Sequence, residues 1–190
     1  MPSVRRMKAP APARGDGARF VFFDLETTGL SPRGDRIIEI AALRVGSRGV
    51  RRSFQALVRI EEPVPRFITR LTGITDAMLL DGDPIEAALP RFCTFVEDLP
   101  LVAYNVAFDM GFLRAEARRL CMKVTNAPVC ALQIARAKLP HLSNHKLKTV
   151  ARHLGLASDQ SHRALDDCEM GLQVFVELTR ARPRAARVNV

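Results

Sequence analysis

The chain has 190 residues, of which 47% are hydrophobic and 26% are charged, and its formal net charge is +9. This length predicts one compact domain with a full-sized core, and no apolar run approaches the roughly 20 residues of a membrane span. Four scattered cysteines without a CxxC pair exclude a disulfide framework and an ordinary zinc motif. They favour a reducing cytosol, so we expect a cytoplasmic protein.

The positive charge is concentrated at the two ends of the chain. Residues 1–19 carry five cations and one acid, and residues 180–190 carry four cations and no acid, which leaves the body a net charge of only +1. Both ends are rich in proline, alanine and arginine, as disordered segments often are. We expect a basic disordered tail over 1–19, a folded domain over 20–180 and a basic tail over 181–190. The tails could attract phosphates or merely aid solubility.

The first predicted strand is an apolar run that ends in two carboxylates. It begins with FVFF at Phe20, which is typical of a strand covered on both faces. Because side chains alternate across a strand, Asp24 and Glu26 point to the same side, roughly 6.6 Å apart. Buried acids repel each other and resist desolvation, and a pair of Mg²⁺ or Mn²⁺ ions would relieve both effects. Taken alone, the pattern is equally typical of two solvated acids.

The following segments predict a mixed α/β fold. The turn Thr27-Thr28-Gly29 ends the first strand, at a place where α/β sheets usually bind ligands. Segments 36–45 and 51–60 predict two more strands, so the first three strands should form a meander. Two short helices follow, then a longer helix that starts at Asp83-Pro84 and a buried strand over 99–104. This order is typical of a β-α-β crossover.

A third acid follows that buried strand. The helix predicted from about Phe108 to Leu120 has Asp109 in its first turn. An acid in that position is ordinarily explained by a favourable interaction with the helix dipole. Its place just beyond the end of a buried strand, like that of Asp24, favours a functional role. An edge strand and two short helices are predicted next.

The last predicted helix begins near His162 and separates two adjacent acids. At about 100° per residue, Asp167 lies beside Val174 on the inward arc, whereas Asp166 lies on the solvated face. An acid on the inward arc is costly unless its charge is compensated, so Asp167 is the candidate ligand and Asp166 a surface acid. The unperturbed pKa of histidine suits a general base, which makes His162 a candidate, although a histidine at a helix start is often structural.

Three segments resemble the motifs of a known family. FDLETTGL, NVAFDMGFL and HRALDDCEM, in this order, are similar to the three motifs of the DnaQ-like (DEDDh) 3′–5′ exonucleases, which include proofreading subunits of bacterial DNA polymerase III. The similarity covers roughly residues 20–180. It implies a ribonuclease H-like α/β fold, in which helices flank a mixed central sheet made of a three-strand meander and further parallel strands.

The resemblance also implies a role for each candidate residue. Asp24 would bridge two Mg²⁺ or Mn²⁺ ions, Glu26 and Asp167 would complete one site, and Asp109 would hold the second ion, partly through water. His162 would take the proton from the attacking water. The family's aspartate lies five residues after the histidine, which selects Asp167, in agreement with its position on the helix.

The resemblance further implies a seat for the substrate. The turn Thr27, Thr28, Gly29 and Leu30 would hold the 3′-terminal nucleotide, close to His162. Leu30 and Phe112 could pack on its base, since stacking on apolar or aromatic groups tolerates any base. Phe112 is equally typical of a core residue.

The sequence departs from the family pattern in three respects. Tyr104 stands where the family often has histidine, and Cys130-Ala131 stands where it often has Asp-Thr. These changes put nearby substrate contacts in doubt but leave the five implied catalytic residues intact. The chain also ends soon after the last helix, whereas proofreading subunits usually continue toward the polymerase and clamp. We therefore expect a stand-alone exonuclease or an unusually short proofreading subunit.

The expected function is metal-dependent 3′–5′ hydrolysis of single-stranded or frayed DNA, with release of nucleoside 5′-monophosphates. The expected partners are single-stranded nucleic acid, with DNA favoured over RNA, and a DNA polymerase, but no membrane. One alternative is an exoribonuclease similar to ribonuclease T or oligoribonuclease, because no residue clearly reads a 2′-hydroxyl. Another is a non-catalytic nucleic-acid-binding module, against which the intact acids and histidine argue.

Overall fold

The computed structural model describes residues 18–156 and 163–180. His162, the C-terminal tail and nearly all of the N-terminal tail lie outside the described residues. The elements within them are, in chain order, β1 (Ala18–Thr27), β2 (Ile37–Gly46), β3 (Gly49–Arg59), α1 (Arg66–Thr72), α2 (Asp76–Leu80), β4 (Asp83–Pro84), α3 (Ile85–Val96), β5 (Leu101–Ala103), α4 (Val106–Arg119), β6 (Pro128–Cys130), α5 (Ala131–Lys138), α6 (Leu147–His153) and α7 (Ala164–Thr179).

A six-stranded mixed sheet forms the centre of the fold, with the strand order β4-β3-β2-β1-β5-β6. Strands β1, β2 and β3 form the predicted antiparallel meander. Strand β5 runs parallel to β1, and β6 runs parallel to β5. The two-residue strand β4 was not predicted; it forms because Asp83 and Pro84 pair with the end of β3 before α3 begins.

The side chains of β1 alternate between two hydrophobic cores. Val21, Phe23 and Leu25 belong to the larger core, which α3 and α4 cover. Phe22 points the other way, into the core that α7 covers. This double burial explains the unbroken FVFF run, since each buried phenylalanine contributes roughly 2–3 kcal/mol of transfer free energy. The row of Phe22 continues along β1 with the two acids, which therefore emerge on the α7 side of the sheet.

Helix α7 approaches β1 closely because residue 171 is a glycine. A Cβ atom on Gly171 would lie 2.6 Å from the Cζ atom of Phe22. The thiol of buried Cys168 points at the carbonyl oxygen of Ala41 on β2, 3.4 Å away. This close packing places Asp167, one turn before Gly171, at the end of β1.

The remaining helices complete two smaller clusters. Helices α1 and α2 pack on the start of β2 through Ile38, Ile68 and Leu79. Helices α5 and α6 pack against α7 around Val150 and Val174. In the part of the chain that the structure describes, every helix is too short or too polar to cross a lipid bilayer.

Candidate active site

Three carboxylates meet at the C-terminal end of β1. Asp24, Glu26 and Asp167 each offer one oxygen atom, and these atoms lie within 4.8 Å of one another. The strand supplies the first two because residues i and i+2 share a face, and the close approach of α7 brings the third. A set of carboxylate oxygens is the donor set that hard divalent cations prefer.

Asp109 is the fourth acid of the cluster. It lies in the first turn of α4, directly after the strand that runs parallel to β1, and only 3% of it is exposed. Burial raises its pKa to about 7, although backbone hydrogen bonds at Leu25 and at Asp109 itself oppose this rise. Its negative charge also raises the pKa of Asp24. Asp24, near the end of β1, and Asp109, which follows the parallel strand β5, thus lie within electrostatic range of each other.

Burial and mutual repulsion raise the pKa values of the strand acids as well. Burial has the largest effect on Asp24, and the charges of Asp109, Glu26 and Asp167 add to it, so its pKa lies well above the ordinary range. Burial, followed by the charge of Asp167, raises the pKa of Glu26 to about 8. Without a cation the cluster holds protons near neutral pH, and binding of a cation must displace them.

The two adjacent acids of α7 have different environments. Asp166 is exposed, whereas Asp167 is partly buried and lies in the cluster. The backbone N–H of Asp167 donates to the carbonyl oxygen of Arg163 at 3.0 Å, which closes the first turn of the helix. This arrangement agrees with the helical phase that selects Asp167 over Asp166.

His162 lies outside the described residues, two positions before Ala164, the first residue of α7. Its predicted role as proton acceptor therefore stays a prediction. The next residue, Arg163, is described, and its charge lowers the pKa of Glu26. The chain thus enters α7 within electrostatic range of the acidic cluster.

The turn after β1 is built around Asp35. The carboxylate of Asp35 accepts a hydrogen bond from the backbone N–H of Ser31 at 2.8 Å, and the hydroxyl of Thr28 donates to it at 3.5 Å. A Cβ atom on Gly29 would lie 2.5 Å from that carboxylate, so a side chain there would displace Asp35. The hydroxyl of Thr27 donates to the carbonyl oxygen of Gly29 at 2.6 Å. The predicted substrate turn is therefore a fixed structure.

The two residues predicted to pack on a base differ in exposure. Leu30 is 85% exposed at the tip of the turn. Phe112 is fully buried, and its ring packs against that of Phe108 with 5.0 Å between the centroids. The predicted contact of Phe112 with a base is thus not met, because α4 turns this side chain into the core. The core role that the sequence left open is the one observed.

Tyr104 and Cys130, which depart from the family pattern, make hydrogen-bonding contacts that join neighbouring elements. The hydroxyl of Tyr104 donates to the carbonyl oxygen of His145 at 2.7 Å, and burial raises its pKa to about 12. The carbonyl oxygen of Tyr104 accepts the backbone N–H of Leu132 at 2.9 Å and lies 3.6 Å from the thiol of Cys130. Both departures therefore join the end of β5 to β6, to the start of α5 and to the loop before α6.

Two charged residues beside the acids were missed by the sequence analysis. Glu39 is fully buried on β2, opposite Glu26 in the antiparallel pairing. The guanidinium of Arg163 donates to its carboxylate. The available signal was the single acid in the apolar segment IIEIAAL, because a charged residue inside a buried strand requires a partner.

Comparison with known sequences gives a family match. The exonuclease family model RNase_T matches residues 21–175. The DNA polymerase III PolC-type of Caldanaerobacter subterraneus subsp. tengcongensis is 36% identical over 159 residues, which cover 84% of this chain and 11% of the relative. The protein of the same name from Oceanobacillus iheyensis is 40% identical over 151 residues, which cover 79% of this chain and 11% of that relative. This chain thus spans 11% of the length of these curated relatives.

Solved structures share the fold. Exonuclease X in complex with 5′ overhanging duplex DNA has a TM-score of 0.66 at 24% identity and covers 84% of this chain and 92% of its own. E. coli exonuclease I in complex with a dA16 oligonucleotide has a TM-score of 0.71 at 20% identity. The match covers 83% of this chain and 40% of exonuclease I. These similarities confirm the predicted ribonuclease H-like α/β fold. Because the family model spans residues 21–175, which is most of the sequence, the chain belongs to the exonuclease family, as its resemblance to the DnaQ-like 3′–5′ exonucleases indicated.

Proposed function

We propose that the chain is a metal-dependent 3′–5′ exonuclease. It would hydrolyse phosphodiester bonds at the 3′ end of single-stranded or frayed DNA and release nucleoside 5′-monophosphates. One observation carries this proposal: oxygens of Asp24, Glu26 and Asp167 lie within 4.8 Å of one another, and the charge of buried Asp109 acts on Asp24. The cluster lies at the end of the central strand, in a fold that exonucleases share.

The four acids suit a pair of Mg²⁺ or Mn²⁺ ions. All donors are carboxylate oxygens, and the raised pKa values of Asp24, Glu26 and Asp109 support an energetic cost of ionising these acids that cations would remove. Asp24 would contact both ions, Glu26 and Asp167 one of them, and Asp109 the other. Bound ions would lower the pKa of the attacking water and neutralise charge on the attacking and leaving oxygens.

His162 would accept the proton of the attacking water. Its ordinary pKa suits this role near neutral pH. Support comes from its sequence neighbour Arg163, whose positive charge lowers the pKa of Glu26, so this part of the chain lies near the acids. His162 would also lie next to the bound 3′-terminal nucleotide.

The turn of Thr27, Thr28, Gly29 and Leu30 would seat the 3′-terminal nucleotide. Gly29 leaves room for the carboxylate of Asp35, which holds the turn together through Ser31 and Thr28. Leu30 projects into solvent and would pack on the terminal base, a contact that tolerates any sequence. This arrangement favours a nuclease that trims ends without sequence preference.

DNA is the favoured substrate, and a DNA polymerase the favoured partner. The curated relatives are DNA polymerases by name, and the solved structures of exonucleases X and I hold DNA.

The proposed domain over 20–180 would bind the 3′ end and catalyse its hydrolysis through the acids and the turn. The basic tails over 1–19 and 181–190 would add salt-dependent attraction to phosphates. Four free cysteines support a reducing, cytoplasmic setting.

A time course on 5′-labelled single-stranded DNA and RNA of one sequence tests this proposal. We expect a ladder that shortens from the 3′ end of the DNA in Mg²⁺ or Mn²⁺ and is absent in EDTA. Faster loss of the RNA would favour the exoribonuclease. Binding of DNA without cleavage in either ion would favour a non-catalytic module.

A further inference from the structure

The carboxylate of Glu39 is saturated with hydrogen bonds although the residue is fully buried. Its Oε1 atom accepts from the Nη2 of Arg163 at 2.7 Å and from the Nε2 of Gln55 at 2.9 Å. Its Oε2 atom accepts from the Nε of Arg163 at 3.2 Å and from the backbone N–H of Ala164 at 3.0 Å. Burial raises the pKa of Glu39, but the bonds from Arg163, Ala164 and Gln55 outweigh it and lower the pKa. Glu39 is therefore an anion in the folded protein.

Three of these four bonds hold the start of α7. Ala164 is its first residue, and Arg163 is its N-cap, whose own side chain makes no capping hydrogen bond. Glu39 satisfies a free N–H at this helix end from a neighbouring strand, where a negative charge also interacts favourably with the helix dipole. The carbonyl oxygen of Arg163 in turn accepts the N–H of Asp167 at 3.0 Å. The position of Asp167 is thus linked to Glu39 through one residue.

Glu39 also adjoins the acids of β1. It faces Glu26 in the pairing of β1 with β2, and residues paired in this way carry their side chains on the same face. Arg163, at the start of α7, therefore contacts a carboxylate on the same face of the sheet as Glu26. This forked, two-bond contact fixes orientation as well as distance.

We propose that Glu39 and Arg163 form a clamp that holds the first turn of α7 against the sheet and so positions Asp167 beside Glu26 for cation binding. The inference rests on the proposed metal-dependent function. Glu39 is a positioning residue in this account, because it acts through α7 and not on the substrate.

Removal of the clamp weakens the metal site. Glu39→Gln keeps the shape of the side chain but removes the charge that Arg163 contacts. We expect it to raise the dissociation constant for Mn²⁺, measured by calorimetry without DNA, about tenfold or more, since residues that orient metal ligands typically contribute 10–100-fold. We expect kcat to fall and KM for DNA to change little. Arg163→Lys keeps the charge but loses the fork, and we expect a smaller change in the same direction.

A second ion pair on β2 supplies the matched control. Arg44 lies five residues after Glu39, is buried, and contacts Glu97 with 3.0 Å between Nη1 and Oε1. Because successive residues of a strand are about 3.3 Å apart, this pair is roughly 16 Å from the clamp. Glu97→Gln should lower the melting temperature and leave the Mn²⁺ dissociation constant and kcat unchanged.

The possible outcomes distinguish the clamp from the proposed function. If the wild-type protein cleaves no DNA with Mn²⁺ and binds no Mn²⁺, the proposed function fails. If the wild-type protein is active and Glu39→Gln changes the Mn²⁺ dissociation constant no more than Glu97→Gln does, the clamp is contradicted and Glu39 is only structural. If Glu39→Gln does not fold, Arg163→Lys decides, and an unchanged Mn²⁺ dissociation constant in that variant overturns the inference.

Discussion

Gly171 lies against the ring of Phe22 so closely that a Cβ atom on the glycine would be 2.6 Å from the phenylalanine Cζ. Both residues are buried, one on α7 and the other on β1. Their contact sets the spacing of helix and strand, because close-packed interiors leave little room for either to move. Asp167 precedes Gly171 by four residues and shares its face of the helix. The same contact therefore sets the position of a candidate metal ligand.

Gly171→Ala should displace α7 or the ring of Phe22. Alanine favours a helix by about 1 kcal/mol over glycine, but an extra methyl group in a packed core typically costs about 1–3 kcal/mol. We expect a net loss of stability and a several-fold rise in the dissociation constant for Mn²⁺, measured by thermal unfolding and calorimetry. Gln173→Ala, at an exposed position of the same helix, is the control. A Gly171→Ala variant of higher stability and unchanged Mn²⁺ affinity would show that the contact with Phe22 does not set the spacing of α7 and β1.

Gly29→Ala should damage the substrate turn more than the fold. The new methyl group would meet the carboxylate of Asp35, so the Asp35 side chain must move and lose its bond from the N–H of Ser31. We expect KM for DNA to rise about tenfold, which corresponds to about 1.4 kcal/mol, with a small change in melting temperature. Gly34→Ala in the same turn, where a Cβ atom has free space, should behave like the wild-type protein. Equal KM values for both variants would argue against this turn as the binding site of the 3′-terminal nucleotide.

The metal-free protein should lose stability as the pH rises. The folded state holds protons on Glu26 up to about pH 8 and on Asp109 up to about pH 7, whereas their ordinary values are 4.5 and 3.8. The stability that these protons supply is complete below the ordinary values and is lost as the pH rises through the folded values. In EDTA we therefore expect the melting temperature to fall between pH 5.5 and 8.5. A change of 1 kcal/mol corresponds to roughly 2–4 °C in a domain of this size.

Two comparisons assign that pH dependence to the acids. Glu26→Gln should flatten the decline near pH 8, and Mn²⁺ should stabilise the protein more at pH 8 than at pH 5.5, since it binds the ionised acids. A melting temperature in EDTA that increases with pH over this range is the opposite of the predicted sign.

Tyr104→Phe should reduce stability and spare catalysis. The variant removes the hydroxyl that donates to the carbonyl oxygen of His145 at 2.7 Å. Such a hydrogen bond contributes about 1 kcal/mol, or roughly 2–4 °C in melting temperature. We expect the rate of DNA cleavage below the melting transition to stay within about twofold of wild type. A tenfold loss of activity at unchanged stability would instead assign Tyr104 a contact with substrate.

Local patterns in the sequence predicted where several residues of the candidate site lie. The FVFF run placed Asp24 and Glu26 at the end of a buried strand, and the phase of the last helix separated Asp167 from Asp166, because both arguments depend only on the fixed geometry of one element. The contact between Glu39 and Arg163 could not be predicted from local patterns, since it joins residues 124 positions apart.

Other features depended on how elements pack. Phe112 could be assigned to the core only when the orientation of α4 on the sheet was known. The strand β4 has two residues, too few to produce a periodic pattern. The role of Gly171 likewise depends on a phenylalanine of another element.

The most direct test of the central claim compares Asp167→Asn with Asp166→Asn. Cleavage of 5′-labelled single-stranded DNA would be followed in Mn²⁺ for both variants and the wild-type protein. Asp167 shares the cluster with Asp24 and Glu26, whereas Asp166 is exposed. We predict that Asp167→Asn loses at least about a hundredfold in rate, because even residues that only orient metal ligands contribute 10–100-fold, and that Asp166→Asn stays within about twofold. Equal losses in the two variants, or full activity in Asp167→Asn, would contradict the assignment of this cluster as the metal-dependent nuclease site.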